Sequence, residues 1–155
     1  MIDNTGGPLF MTTLSPELRK AFEETQYHVL NQAPFILQLG QAQAALGALY
    51  QQHQTDCSCF ITAFNPMGEL LDKDENIEHH AQLGRALGTA GFAALPAVAQ
   101  HPANGWPAEP GFLVIGMGRD DAQRWAAQWE QLAVVWTSAD MVPQLLETRV
   151  PGWMR

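Results

Sequence analysis

The sequence predicts an α+β fold: a ferredoxin-like β-α-β-β-α-β core with a four- or five-stranded mixed or antiparallel sheet, preceded by an N-terminal helix and an extra βα unit. Three observations predict it. Short runs rich in apolar, β-branched or aromatic residues at 33–40, 57–64, 92–99, 111–116 and 132–136 read as strands. Between them lie stretches whose apolar residues recur every three to four positions, the helical period. After residue 56 the two kinds follow the order β-α-β-β-α-β, with helices expected mainly on one face and not in a doubly wound dinucleotide arrangement. The domain is expected over 15–147, with a flexible segment at 1–14 and a tail at 148–155.

Ser15-Pro16-Glu17 opens the first helix: a capping serine, a proline in the first turn and an acid at the positive end of the helix dipole. Leu18, Ala21, Phe22 and Thr25 give it an apolar face that ends near His28. Ala33 to Gly40 reads as a strand. Gln41 to Gln52 reads as a helix, with Ala42, Ala45, Leu46 and Leu49 on one stripe. Cys57 to Phe64 is the clearest strand, stopped by the turn residues Asn65-Pro66-Met67-Gly68. A helix is expected from about Asp74 to Gly88, with Ile77, Ala81, Gly84 and Leu87 inward. Phe92 to Ala99 is a strand whose Pro96 argues for an edge or a bulge. Gln100 to Pro110 is a proline-rich loop, and Gly111 to Gly116 a buried strand. A helix over 119–131 carries Ala122, Trp125, Ala126 and Trp129 on one face. Leu132 to Trp136 is the last clear strand, and a short helix is expected at Pro143 to Glu147.

Composition narrows the function. Of 155 residues, 46% are hydrophobic, which suits a packed core, and no apolar run approaches the roughly 20 residues that span a bilayer. Sixteen acids against eight scattered bases give a net charge of −8, without the basic cluster that nucleic acid or an anionic membrane requires. Neither partner is expected. Met1-Ile2-Asp3-Asn4 does not resemble a secretory leader, and Cys57 and Cys59 read as small core residues in a reducing compartment. The expected location is therefore cytoplasmic.

Several motifs resolve into ordinary structure. Gly116-Met117-Gly118 lacks the third glycine of a dinucleotide fingerprint, since Asp121 stands there. His79 and His80 are adjacent on a helix and point about 100° apart, so they read as a polar face and not as a metal pair. No activated serine or phosphate-cradling loop occurs, and no cofactor or metal is expected. Two segments stand out: Thr62-Ala63-Phe64-Asn65-Pro66 and Trp106-Pro107-Ala108-Glu109-Pro110, both at strand ends bordering loops. Proline forces Asn65 out of the right-handed helical region, and Asn76 in the following helix is placed to return toward it. Glu109 is an acid held between prolines beside the large aromatic Trp106.

These segments resemble a bacterial family, domain of unknown function 3293. The resemblance rests on Ile61-Thr62-Ala63-Phe64-Asn65-Pro66, on Glu75-Asn76 and Gln82-Leu83, on Trp106-Pro107-Ala108-Glu109-Pro110 running into Phe112-Leu113-Val114, and on Gln131 to Trp136. It covers roughly residues 27–137, with Phe64 where many relatives would carry Trp. It implies a small cytoplasmic domain and transfers no catalytic residues.

The residues themselves suggest a small polar ligand bound by Asn65, Asn76, Trp106 and Glu109, supported by Gln131 and Trp136. The amides would supply donors and acceptors, the indole a stacking face, and the carboxylate a charge for a cationic group. The alternatives are an enzyme using Glu109 as acid or base, and a protein–protein interaction module, monomeric or a homodimer. Thr62 and Phe64 are expected to form core together with Trp125 and Trp129.

Overall fold

A strand buried on both faces organises the fold. In the computed structural model, which describes residues 9–11 and 14–151, the five residues Ser58 to Thr62 are all buried. Their side chains alternate between two separate cores, as strand geometry requires. In chain order the elements are β1 (Leu9–Met11), α1 (Pro16–Glu24), β2 (Gln26–Val29), β3 (Phe35–Leu37), α2 (Ala45–Gln52), β4 (Ser58–Thr62), a 3-10 turn (Pro66–Gly68), α3 (Lys73–Thr89), β5 (Ala93–Gln100), β6 (Glu109–Ile115), α4 (Arg119–Gln128), β7 (Ala133–Thr137), β8 (Gln144–Glu147) and β9 (Arg149–Pro151).

Seven strands form one sheet in the spatial order β3-β2-β5-β6-β4-β7-β8, with every neighbouring pair antiparallel. The sheet curls into a half-barrel. β1 and β9 pair separately as a two-stranded ribbon. On one face Phe60 of β4 packs with Tyr27, Leu46, Leu49, Leu113 and Val135, and Phe22 of α1 leans on this cluster. On the other face Cys59 and Ile61 pack with Leu83 and Leu87 of α3 and with Ala122 and Ala126 of α4. Cys57 and Cys59 are both buried and unbridged.

This architecture corrects the expected one. The sheet is neither four- nor five-stranded, and the ferredoxin-like description does not hold. The element order β-α-β-β-α-β does run from β4 to β7. However, β2 and β3 extend the sheet beyond β5, β8 extends it beyond β7, and α2 covers the face opposite α3 and α4. The cause lies in two four-residue segments. Gln26–Val29, read as the end of the first helix, is a strand registered with Ala97–Gln100. Gln144–Glu147, read as a helix, is a strand registered with Ala133–Trp136. Four residues carry too little periodicity to separate helix from strand, so partner strands decide the outcome.

Other local expectations meet their physical reasons. The Ser15 side chain accepts from the Leu18 N–H at 3.1 Å and caps α1. Pro96 lies within β5, a strand paired on both sides, and marks the end of its ladder with β2. Its carbonyl accepts from Leu30 just past the end of β2. The N and O of one residue face the same side of a strand, so the bond a proline cannot make is the reciprocal one to the Leu30 carbonyl, at the last pair of the ladder. The expected boundaries at 14 and 147 fall beside β1 and β9, and residues 1–8, 12–13 and 152–155 lie outside the described residues.

Candidate functional site

β4 ends at Thr62, and the chain must turn at once because Pro66 follows. Thr62 stabilises the turn: its hydroxyl donates to the Pro110 carbonyl at 2.6 Å and accepts from the Phe64 N–H at 3.0 Å. Asn65 then adopts a left-handed conformation, φ 51° and ψ 62°, which asparagine tolerates better than most residues. This conformation lets every polar group of Asn65 find a partner. Its N–H donates to Asn76 Oδ1 at 2.8 Å, and its Oδ1 accepts from Asn76 Nδ2 at 2.8 Å and from the Leu71 N–H at 3.0 Å. Its Nδ2 donates to Glu109 Oε2 at 2.6 Å. Both asparagines are buried.

Glu109 is the first residue of β6, directly opposite Ala99 of β5. The same Oε2 that accepts from Asn65 also accepts from the Trp106 indole N–H at 3.0 Å. Trp106 is held in turn by a bond from its backbone N–H to Asn104 Oδ1. Upstream, His101 Nδ1 accepts from the backbone N–H groups of Ala103 and Asn104, which requires the tautomer protonated at Nε2. That Nε2 faces Glu24 at 3.2 Å and ties the loop to the end of α1. No lysine, arginine or histidine lies within ion-pair distance of Glu109 among the described residues. Burial therefore pushes its carboxyl above the usual range, against the opposing effect of the Asn65 and Trp106 hydrogen bonds. The Tyr27 phenol is also raised, first by burial and then by the nearby Glu109 charge.

Glu109, Asn65 and Trp106 border a cleft of about 590 Å³ between α1 and one face of the sheet. Its walls are mostly apolar: Leu18, Ala21 and Phe22 from α1, and Tyr27, Phe60 and Val135 from the strands. A second hollow of about 500 Å³ adjoins Asn65 and contains Asn76, Leu70, Ile77 and Pro110.

The structure thus brings together Asn65, Asn76, Trp106 and Glu109, the four residues singled out in the sequence, although Asn76 contacts the cleft only through Asn65. Gln131 lines the cleft, and its Nε2 donates to the carbonyls of Phe64 and Trp129. Trp136 does not join them. It packs against the opposite core, its indole N–H donating to the Met117 carbonyl at 3.0 Å and the Arg119 guanidinium lying 5.7 Å from its ring. Thr62 and Phe64, expected in the core, are both buried and also border the cleft, whereas Trp125 and Trp129 pack on the far side of the sheet. His80 stacks on Phe112 with ring centroids 4.6 Å apart.

A family model described as a protein of unknown function (DUF3293) matches residues 61–134. Over this segment the chain is similar to that family. No curated protein and no solved structure matches the chain. The DUF3293 match spans Asn65, Asn76, Trp106, Glu109 and Gln131, and it stops short of Trp136. The α1 and β2 walls of the cleft, including Leu18, Phe22 and Tyr27, lie outside the DUF3293 segment. Sequence reasoning missed these wall residues, along with His101. The only signal was the apolar face of the first helix, which does not say what that face covers.

Proposed function

We propose that this domain binds a small molecule in the cleft between α1 and the sheet, with a polar group of the ligand at Glu109 and an apolar body against Leu18, Phe22, Phe60 and Val135. One observation carries this reading. Glu109 is a partly buried carboxylate with no cationic partner among the described residues, and its two bonded neighbours require only an acceptor oxygen. A glutamine carbonyl would accept from Asn65 and Trp106 equally well, without the cost of desolvating an anion. A volume of about 590 Å³ lies within the usual range for small-molecule sites. The buried, unbridged Cys57 and Cys59 support a cytoplasmic setting for this activity, and no helix among the described residues is long and apolar enough to cross a membrane.

A thermal-shift screen of metabolites tests the reading, with Ala21→Trp as the control that fills the cleft from α1. A ligand at 100 times its dissociation constant adds about 2.7 kcal/mol, or roughly 5–11 °C for a chain of this size. The expected result is a shift in the parent protein that Ala21→Trp abolishes. A shift of equal size in both proteins would overturn the cleft assignment.

A second reading, a protein-interaction module, draws on the exposed apolar side chains Met67, Leu70, Ile77 and Trp106. It predicts a molar mass that rises with concentration, measurable by sedimentation.

A further inference from the structure

Resting on the cleft reading above, we infer that the ligand is an organic cation, a primary ammonium or guanidinium group on an apolar body, with its N–H donors directed to Glu109. The pattern of hydrogen bonds around the carboxylate supports this. The side-chain donors nearest the carboxylate each already have an acceptor. Asn65 Nδ2 and Trp106 Nε1 both donate to Glu109 Oε2, and Gln131 Nε2 donates to the Phe64 and Trp129 carbonyls. The Thr62 hydroxyl donates to Pro110 and the Tyr27 hydroxyl to Phe22. An acceptor on the ligand would have to compete with Glu109 for the Asn65 and Trp106 N–H groups beside it. Glu109 Oε1, by contrast, has no protein partner among the described residues. That oxygen is satisfied by a ligand that brings donors.

Charge selects among donors. No lysine or arginine among the described residues lines the cleft, and Glu17 adds a second acid to its wall. An anion meets only repulsion, and a neutral hydroxyl leaves the Glu109 charge unbalanced. A cation removes that imbalance, and opposite charges in a partly desolvated site attract more strongly than in water. Trp106, fixed edge-on to the carboxylate through its indole N–H and 40% exposed, offers a ring face beside the same position.

Three probes that share one apolar body isolate the charge: phenethylamine, 2-phenylethanol and 3-phenylpropanoate. Titration into the intact protein, followed by calorimetry and by NMR of the Trp106 indole, should show the amine bound at least about tenfold more tightly than the other two. Glu109→Gln should reduce the amine to about the level of the alcohol. An unaltered melting temperature would confirm that this variant is folded. Acidification should weaken only the amine, as Glu109 takes up a proton above the usual carboxylate range. The other titratable groups lining the cleft are Glu17, Tyr27 and His101, so the acid-side loss must vanish in Glu109→Gln if Glu109 is its source. If the alcohol or the acid binds in the cleft as tightly as the amine, the cation inference fails and the binding cleft stands. If Glu109→Gln still prefers the amine, the assignment to Glu109 fails. If none of the three perturbs the cleft at millimolar concentration, the inference and the reading beneath it both fall.

Discussion

Asn65 shows how much of the site depends on one backbone conformation. Its left-handed φ of 51° aims the side chain at Glu109 while its N–H reaches Asn76. Glycine enters this region without penalty, whereas alanine pays about 1 kcal/mol for its Cβ. Asn65→Gly and Asn65→Ala lose the same side-chain hydrogen bonds, so both should destabilise the fold, and the alanine variant should be worse by about 1 kcal/mol. Urea denaturation of the two variants gives the difference directly, and equal midpoints would contradict the role assigned to the backbone. At this scale the sequence was informative. Asn-Pro and Trp-Pro-x-Glu-Pro carry their geometry in their own local chemistry, so Asn65, Trp106 and Glu109 could be recognised before any fold was known. Trp136 was misplaced because it is separated from Val135, which lines the cleft, by a single position, and alternation along β7 sends neighbours to opposite faces.

Between elements, the contact that holds the site in register is the close approach of β4 to β6. Gly111 lies opposite Thr62, two residues after Glu109, and a Cβ built there would stand 2.5 Å from the Ile61 carbonyl oxygen. Backbone cannot move aside as a side-chain tip can. Gly111→Ala should therefore force the two strands apart and destabilise the protein by about 1–3 kcal/mol. It should also disturb the Thr62–Pro110 bond and, with it, the position of Glu109. Chemical denaturation checks the first effect, and the NMR shift of the Trp106 indole N–H checks the second. Stability within about 0.5 kcal/mol of the parent would show that the strands yield easily. The long helices and β4 to β7 were legible in the sequence because each repeats its period several times. β2 and β8 were not, because four residues can follow either period and only their partners β5 and β7 resolve the ambiguity.

Across the whole molecule, one sheet separates two cores. Leu46 of α2 is fully buried on the cleft side, and Leu83 of α3 is fully buried on the other. Each truncation to alanine should cost about 2–5 kcal/mol. The two belong to separate clusters, so the double variant should show the sum within about 0.5 kcal/mol. Unfolding curves for the two single variants and the double variant test this, and a large coupling energy would mean that the cores relax together through the sheet.

Local chemistry and repetition along the chain encode the long helices, the strands β4 to β7, the acidic composition, and the polar residues at the tips of β4 and β6. Tertiary structure alone decided how many strands the sheet has, that its second face is covered by α2 and Phe22, and that this covering leaves a cleft over Glu109. The physical reason is that strand pairing and face assignment are relations between distant segments. Tyr27 and Glu109 are far apart in the chain and share a cleft only because β2, β5 and β6 align side by side.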